Sequence, residues 1–114
     1  MPAYDYYRDL PEADQDRLDS MIRYFCDRPY GTLLPKTMYR IEDPANKIYA
    51  FKPRDERFFN FTAEGGVVII TNAYHKHARK MTKKDLDALA LSVQYRDDYI
   101  RRFKGATYYG DPGN

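Results

Sequence analysis

Lys47-Ile48-Tyr49-Ala50-Phe51-Lys52, Arg57-Phe58-Phe59-Asn60-Phe61-Thr62 and Gly66-Val67-Val68-Ile69-Ile70-Thr71-Asn72-Ala73 follow one another in the middle of a 114-residue chain. Each run is rich in the β-branched and aromatic residues that favour strands. In the first, Ile48 and Ala50 share one face, and Tyr49 and Phe51 the other. The connections are Pro53-Arg54-Asp55-Glu56 and Ala63-Glu64-Gly65, both short enough for hairpins. Three strands so joined are antiparallel in succession. The unbroken Val/Ile run of the third predicts a central strand covered on both faces.

Outward from this centre the pattern changes. Leu18, Met21, Ile22 and Phe25 recur at i, i+3, i+4 and i+7 and predict an amphipathic helix over residues 11–27. Asp9 stands where a helix cap is wanted, Pro11 suits a first turn, and Glu12, Asp14 and Asp16 suit the positive end of a helix dipole. Residues 3–8 are tyrosine-rich and read as a short strand. Residues 29–46 read as irregular, with a helical turn over 32–39 and a turn at Asp43-Pro44-Ala45-Asn46. Beyond the strands, Thr82-Lys83-Lys84-Asp85 resembles a capping box. Leu86, Leu89, Ala90, Val93, Ile100 and Phe103 then carry an apolar stripe, so a helix is expected to about residue 103. The expected organisation is one domain over residues 1–104 and a flexible tail over 105–114. The order strand, helix, three strands, helix gives an α+β fold, an antiparallel sheet with helices packed on it.

Composition bounds the function. The apolar fraction of 43% can build one core, and the 16% aromatic content is 12 Tyr and 6 Phe with no Trp. The run 66–70 falls far short of the roughly 20 residues a membrane span needs. The first residues have neither a basic nor an apolar region, so no secretory signal is expected. Cys26 stands alone, which excludes an internal disulfide and a structural zinc site and suits the cytoplasm. It is expected to be inert, buried or half-buried at a helix end. Charge is uneven. Residues 1–46 hold six Lys or Arg against nine Asp or Glu, residues 47–84 nine against three, and residues 85–114 four against five. A basic middle third fits a polyanionic or acidic partner, or simply a solvated surface.

Two clusters carry candidate chemistry. Both histidines lie in Tyr74-His75-Lys76-His77-Ala78-Arg79-Lys80, after the last strand. In extended backbone His75 and His77 share a face, and Tyr74 and Lys76 the other. Two histidines among cations make a poor metal site, and no metal or cofactor is expected. Metal-free RNA cleavage needs a base, an acid and cations on the phosphorane, which His, Tyr, Lys and Arg can supply, although the segment taken alone reads first as a solvated basic loop. Lys52 and Arg57 flank the first hairpin turn as near-opposite like charges, an arrangement that an anion would relieve or that Asp55 and Glu56 would neutralise. Phe58, Phe59 and Phe61 read as core, whereas Tyr49 and Tyr74 could stack on bases.

The stretch 47–89 resembles the phage-derived RelE/HigB-like toxins of bacterial type II toxin–antitoxin systems. The resemblance rests on Ile48-Tyr49-Ala50-Phe51-Lys52, Arg57-Phe58-Phe59-Asn60-Phe61, Gly65-Gly66-Val67-Val68-Ile69-Ile70, Tyr74-His75-Lys76-His77 and Thr82-Lys83-Lys84-Asp85-Leu86. The chain departs from the family pattern at Ala50, where relatives often carry Glu, at His77, where a Lys is usual, and at Thr82, where Pro is common. The resemblance implies a cytoplasmic toxin with a twisted antiparallel sheet that cleaves translated mRNA in the ribosome, and a cognate antitoxin that binds it. It implies 2′-OH attack leaving a 2′,3′-cyclic phosphate. Lys52 and Arg57 would hold the phosphate, and Tyr74, His75 or His77 would supply the acid, base or stacking function, with His77 favoured over His75 because it occupies a motif position. Arg54, Lys76, Arg79, Lys80 and Lys83 would bind RNA. The alternatives are a gyrase-inhibiting toxin of the related ParE branch and a non-catalytic adaptor for RNA or protein.

Overall fold

Residues 2–8 form a helix rather than a strand. The computed structural model describes residues 2–27, 35–63, 67–77 and 79–110, the last eight of these by backbone only. Helix α1 is Pro2–Arg8, opened by the residue best suited to a first helical position, with Asp5 in its first turn and Arg8 in its last. Seven residues are too few to separate a period of two from one of 3.6. Neighbours settle the choice. Tyr6, Tyr7 and Leu10 pack towards the sheet, and the Gln15 side-chain amide donates to the carbonyls of Tyr7, Arg8 and Leu10 at 3.0, 3.2 and 3.2 Å. Tyr7 and Arg8 are the last two residues of α1, whose carbonyls a helix leaves to donors from outside it. Gln15 belongs to α2, Glu12–Asp27, the helix expected from its spacing.

A four-stranded antiparallel meander follows, β1 Tyr39–Asp43, β2 Ile48–Phe51, β3 Glu56–Thr62 and β4 Val68–His75, in spatial order 1-2-3-4. Three strands fall where expected. β1 lies in the segment read as irregular. It alternates charged and apolar residues, Arg40 and Glu42 against Tyr39 and Ile41, over only five positions. The helical turn expected over 32–39 lies partly outside the described residues; the rest is a turn in which Met38 N–H and Tyr39 N–H donate to the Pro35 carbonyl at 2.9 and 3.1 Å. The β1–β2 turn is the expected one. Asn46 donates to both Asp43 carboxylate oxygens, from its backbone N–H at 3.1 Å and its side chain at 2.9 Å, and these bonds hold the carboxyl below its usual pKa.

The Val/Ile run does not mark a central strand. β4 is an edge of the sheet. The run nonetheless serves two covered faces, with Val68 and Ile70 turned to the α1 and α2 side and Ile69 to the other. An apolar run reports coverage of both faces, not position within the sheet.

Two cores result. Under α1 and α2, Leu18, Phe51 and Phe58 are buried with Tyr6, Ile22, Phe25 and Ile70 around them. On the other face, Ile48, Ala50, Phe59, Phe61 and Tyr74 are covered by Ala88, Leu89, Val93 and Tyr99 of α3, Lys83–Gly110. Asp85 N–H donates to Thr82 Oγ1 at 3.2 Å and Thr82 N–H donates to Asp85 Oδ2 at 3.0 Å, a reciprocal cap with Asp serving for Glu. The helix runs past residue 103 to Gly110, and residues 111–114 lie outside the described residues. Leu86 and Ala90 of the expected stripe are exposed, and Ala88, Ser92 and Tyr99 take the buried side instead.

A β-bulge ties α3 to the sheet. Asn72 pairs with Phe59 and Ile70 with Asn60, which leaves Thr71 as the extra residue. Thr71 and Asn72 therefore both reach α3, through Thr71 Oγ1 to Ser92 Oγ at 2.7 Å and Asn72 Nδ2 donating to the Ala88 carbonyl at 2.9 Å. Ser92 is fully buried. Thr71→Val strands its hydroxyl partner, so urea denaturation is expected to show a loss of about 1–3 kcal/mol. A loss within experimental error would mean that this contact does not anchor α3.

Candidate functional site

Strand pairing collects the basic residues at one end of the sheet. Tyr39 pairs with Phe51, Phe51 with Phe58 and Phe58 with Ala73. The start of β1, the end of β2, the start of β3 and the end of β4 thus lie side by side. Arg40, Lys52, Arg57 and Lys76 come from these four positions. Arg57 and Tyr74 are opposite each other, on the face that α3 covers.

Lys52 is the centre of this group. Its Nζ donates to the Lys36 carbonyl at 2.9 Å. Burial, then the charges of Arg57, Arg40 and Lys76, push its pKa below the ordinary lysine value, with Glu42 opposing them. Four cations meet at this end of the sheet, and their repulsion of Lys52 is one that a phosphate would relieve.

Arg57 stands where expected but is largely buried. Its Nη1 donates to the carbonyls of Arg54 and Glu56 at 2.6 and 2.8 Å, so it also closes the β2–β3 turn. Arg54 holds a positive φ of 56° in that turn, and its exposed side chain reaches Asp14 Oδ1 at 3.9 Å. Lys76 is half-buried, and its backbone N–H donates to the Asp55 carbonyl at 2.7 Å. Arg79 and Lys80 are exposed beyond it, and Lys83 is exposed at the first position of α3. Neither candidate base-stacking tyrosine is a free platform. Tyr74 is buried against Phe59 at 5.2 Å between ring centroids, and Tyr49 stacks on Tyr39 at 5.0 Å.

The histidines lie on the other face of this strand end. His75 pairs with Glu56, and its Nδ1 is 2.9 Å from Glu56 Oε2. Glu56 is buried, and its second oxygen accepts a short hydrogen bond from the Tyr6 hydroxyl of α1. The His77 ring centroid is 4.6 Å from that of His75, so the two share a side as the spacing predicts. Both border a cleft of about 600 Å³ between α1, β4 and α3, whose walls include Pro2, Tyr6, Asp85 and Leu91. Among the described residues no three His, Cys, Asp or Glu side chains gather as a metal-binding group. Cys26 is exposed rather than buried.

The sequence reading missed Glu56, Tyr6 and Arg40. Arg40 depends on a strand that was not expected, and Tyr6 on a helix read as a strand. Glu56 was placed in a turn as a neutralising charge, and the β3–β4 register makes it the partner of His75.

The tyrosines give a pH signature. Burial, the Glu56 hydrogen bond and the Glu56 charge raise the Tyr6 pKa well above its usual value, and burial with nearby carboxylates pushes Tyr74 up to about 12. A phenol whose pKa rises on folding stabilises the fold below its unfolded pKa of about 10, and this contribution disappears as pH rises through the folded value. Stability measured in urea is therefore expected to fall above about pH 10, with a shallower fall in Tyr6→Phe. An unchanged slope in that variant would remove Tyr6 from the account.

No protein-family model matches the chain, and no curated protein matches it. Among the described residues no helix is long and apolar enough to cross a membrane.

Proposed function

We propose that the chain is a RelE/HigB-like toxin, a metal-independent endoribonuclease that acts in the cytoplasm on translated mRNA and is held in check by an antitoxin. The observation that carries this reading is the junction of Arg40, Lys52, Arg57 and Lys76 at one sheet end, the end that also carries, on its other face, a carboxylate-held histidine. Clustered cations on a rigid sheet suit the charge that develops on a phosphorane. A histidine at the same end of the sheet is a side chain that can take and give a proton. The 2′-oxygen bonds to phosphorus, the bond to the 5′-oxygen breaks, and the products are a 2′,3′-cyclic phosphate and a 5′-hydroxyl.

Primer extension on a reporter mRNA after induction tests the proposal. New 5′ ends that need translation are expected with the wild type and are expected to vanish with Lys52→Ala/His75→Ala. Growth arrest with intact mRNA would overturn the nuclease reading, and inhibition of gyrase supercoiling in the same cells would favour the ParE-like one. Unimpaired growth together with intact mRNA would also reject a nuclease toxin.

A further inference from the structure

We propose that His75 rather than His77 is the general base for the 2′-hydroxyl, and that Glu56 and Tyr6 are its positioning residues; the inference rests on the nuclease reading above. The two histidines are neighbours with different surroundings. His75 has a carboxylate oxygen 2.9 Å from Nδ1. No such bond holds His77 among the described residues, and its side chain is exposed.

The bond dictates which nitrogen can work. A carboxylate only accepts, so the Nδ1 of a neutral His75 carries the proton and Nε2 keeps its lone pair. The ring remains reachable, with its side chain 44% exposed, while the Glu56 side chain is only 10% exposed. The buried carboxylate therefore holds the ring at Nδ1 and leaves Nε2 outside that bond. Glu56 is itself fixed from two sides. It sits in β3 directly opposite His75, and the Tyr6 hydroxyl donates to its other oxygen. Tyr6 in turn packs edge-on against Phe58 at 5.6 Å, which anchors α1 to the sheet.

The chemistry follows from this tautomer. Nε2 takes the 2′-hydroxyl proton as the 2′-oxygen bonds to phosphorus. The resulting imidazolium lies against the Glu56 carboxylate, which stabilises the new charge without taking the proton. The bond from phosphorus to the 5′-oxygen breaks, and that oxygen takes a proton from a water molecule. The hydroxide left behind recovers the proton from Nε2, which restores the neutral ring.

A purely structural role for Glu56, tying α1 to β3, predicts the same hydrogen bonds, so the test must read the ring and not only stability. Long-range nitrogen–proton NMR on histidine-labelled protein, above the ordinary imidazole titration range, reports the tautomer directly. In the wild type His75 is expected to be Nδ1-protonated, with His77 a mixture. An Nε2-protonated His75 would overturn the proposal whether or not the protein cleaves RNA, whereas a protein with the expected tautomer and no cleavage would fail only as a nuclease. Kinetics on translated mRNA complete the test. Glu56→Ala is expected to lower the rate by a factor on the order of 10², with no further loss when combined with His75→Ala. If Glu56→Ala does not fold, Glu56→Gln keeps an acceptor but removes the charge, and an intermediate rate is expected. His77→Ala with activity near wild type supports the assignment. Activity retained in His75→Ala and lost in His77→Ala would reverse it.

Discussion

Lys52→Ala is expected to reduce mRNA cleavage by a factor on the order of 10²–10³ while leaving the fold intact, the size of effect seen when one preorganised donor to a developing oxyanion is removed. Lys52 lies just past the end of β2, half-buried, and its ammonium donates to a backbone carbonyl. Removing it relieves repulsion among Arg57, Arg40 and Lys76, so stability is expected to hold or rise slightly. This separates Lys52 from Arg57, whose loss also opens the β2–β3 turn by freeing the Arg54 and Glu56 carbonyls. Single-turnover cleavage on programmed ribosomes, with thermal melts of both variants, measures the two effects independently. RNA binding by Lys52→Ala is also expected to lose about one unit of salt dependence. Wild-type cleavage by folded Lys52→Ala would remove the phosphate role.

What the sequence disclosed was chiefly periodic. The α2 spacing of Leu18, Met21, Ile22 and Phe25, the three central strands and the Thr82–Asp85 cap all have local causes that operate within a few residues. The errors arose where tertiary contacts decide. Residues 2–8 are compatible with either period and become helical because Gln15 and Phe58 receive them. β1 is an edge strand whose partner, β2, supplies the apolar signal that β1 lacks.

The candidate site was legible as a collection of residues and not as an arrangement. Lys52, Arg57, Tyr74 and His75 do converge on one end of the sheet, but alternation sends Tyr74 to the α3 face and His75 to the α1 face. The bulge matters most here. Thr62 pairs with Val68 near the turn, and an unbroken ladder from that pair would set Tyr74 opposite Glu56. Because Thr71 is extra, His75 meets Glu56 and Tyr74 meets Arg57. A one-residue slip exchanges the faces of every side chain beyond it. No pattern in residues 66–75 announces the bulge, since its reason lies in α3, where Ser92 and the Ala88 carbonyl receive Thr71 and Asn72.

Phe59→Ala is expected to cost about 3–5 kcal/mol, a large part of the 5–15 kcal/mol that holds a small domain together. The side chain is fully buried at the middle of β3, within the cluster of Ile48, Ala50, Phe61 and Tyr74 beneath α3. Cavity formation dominates the cost, because the neighbours belong to a hydrogen-bonded sheet and cannot collapse into the space. Phe59→Leu retains much of the volume and is expected to lose far less, while Leu86→Ala on the exposed side of α3 is expected to stay within about 0.5 kcal/mol. The same residue links core to chemistry. Tyr74 rests on Phe59 and faces Arg57, so the cavity loosens the floor beneath the basic cluster. Equilibrium urea unfolding measures the first effect. Cleavage by the fraction of Phe59→Ala that remains folded measures the second, and is expected to fall as well. A cost below about 1 kcal/mol would mean that α3 does not seal this face of the sheet.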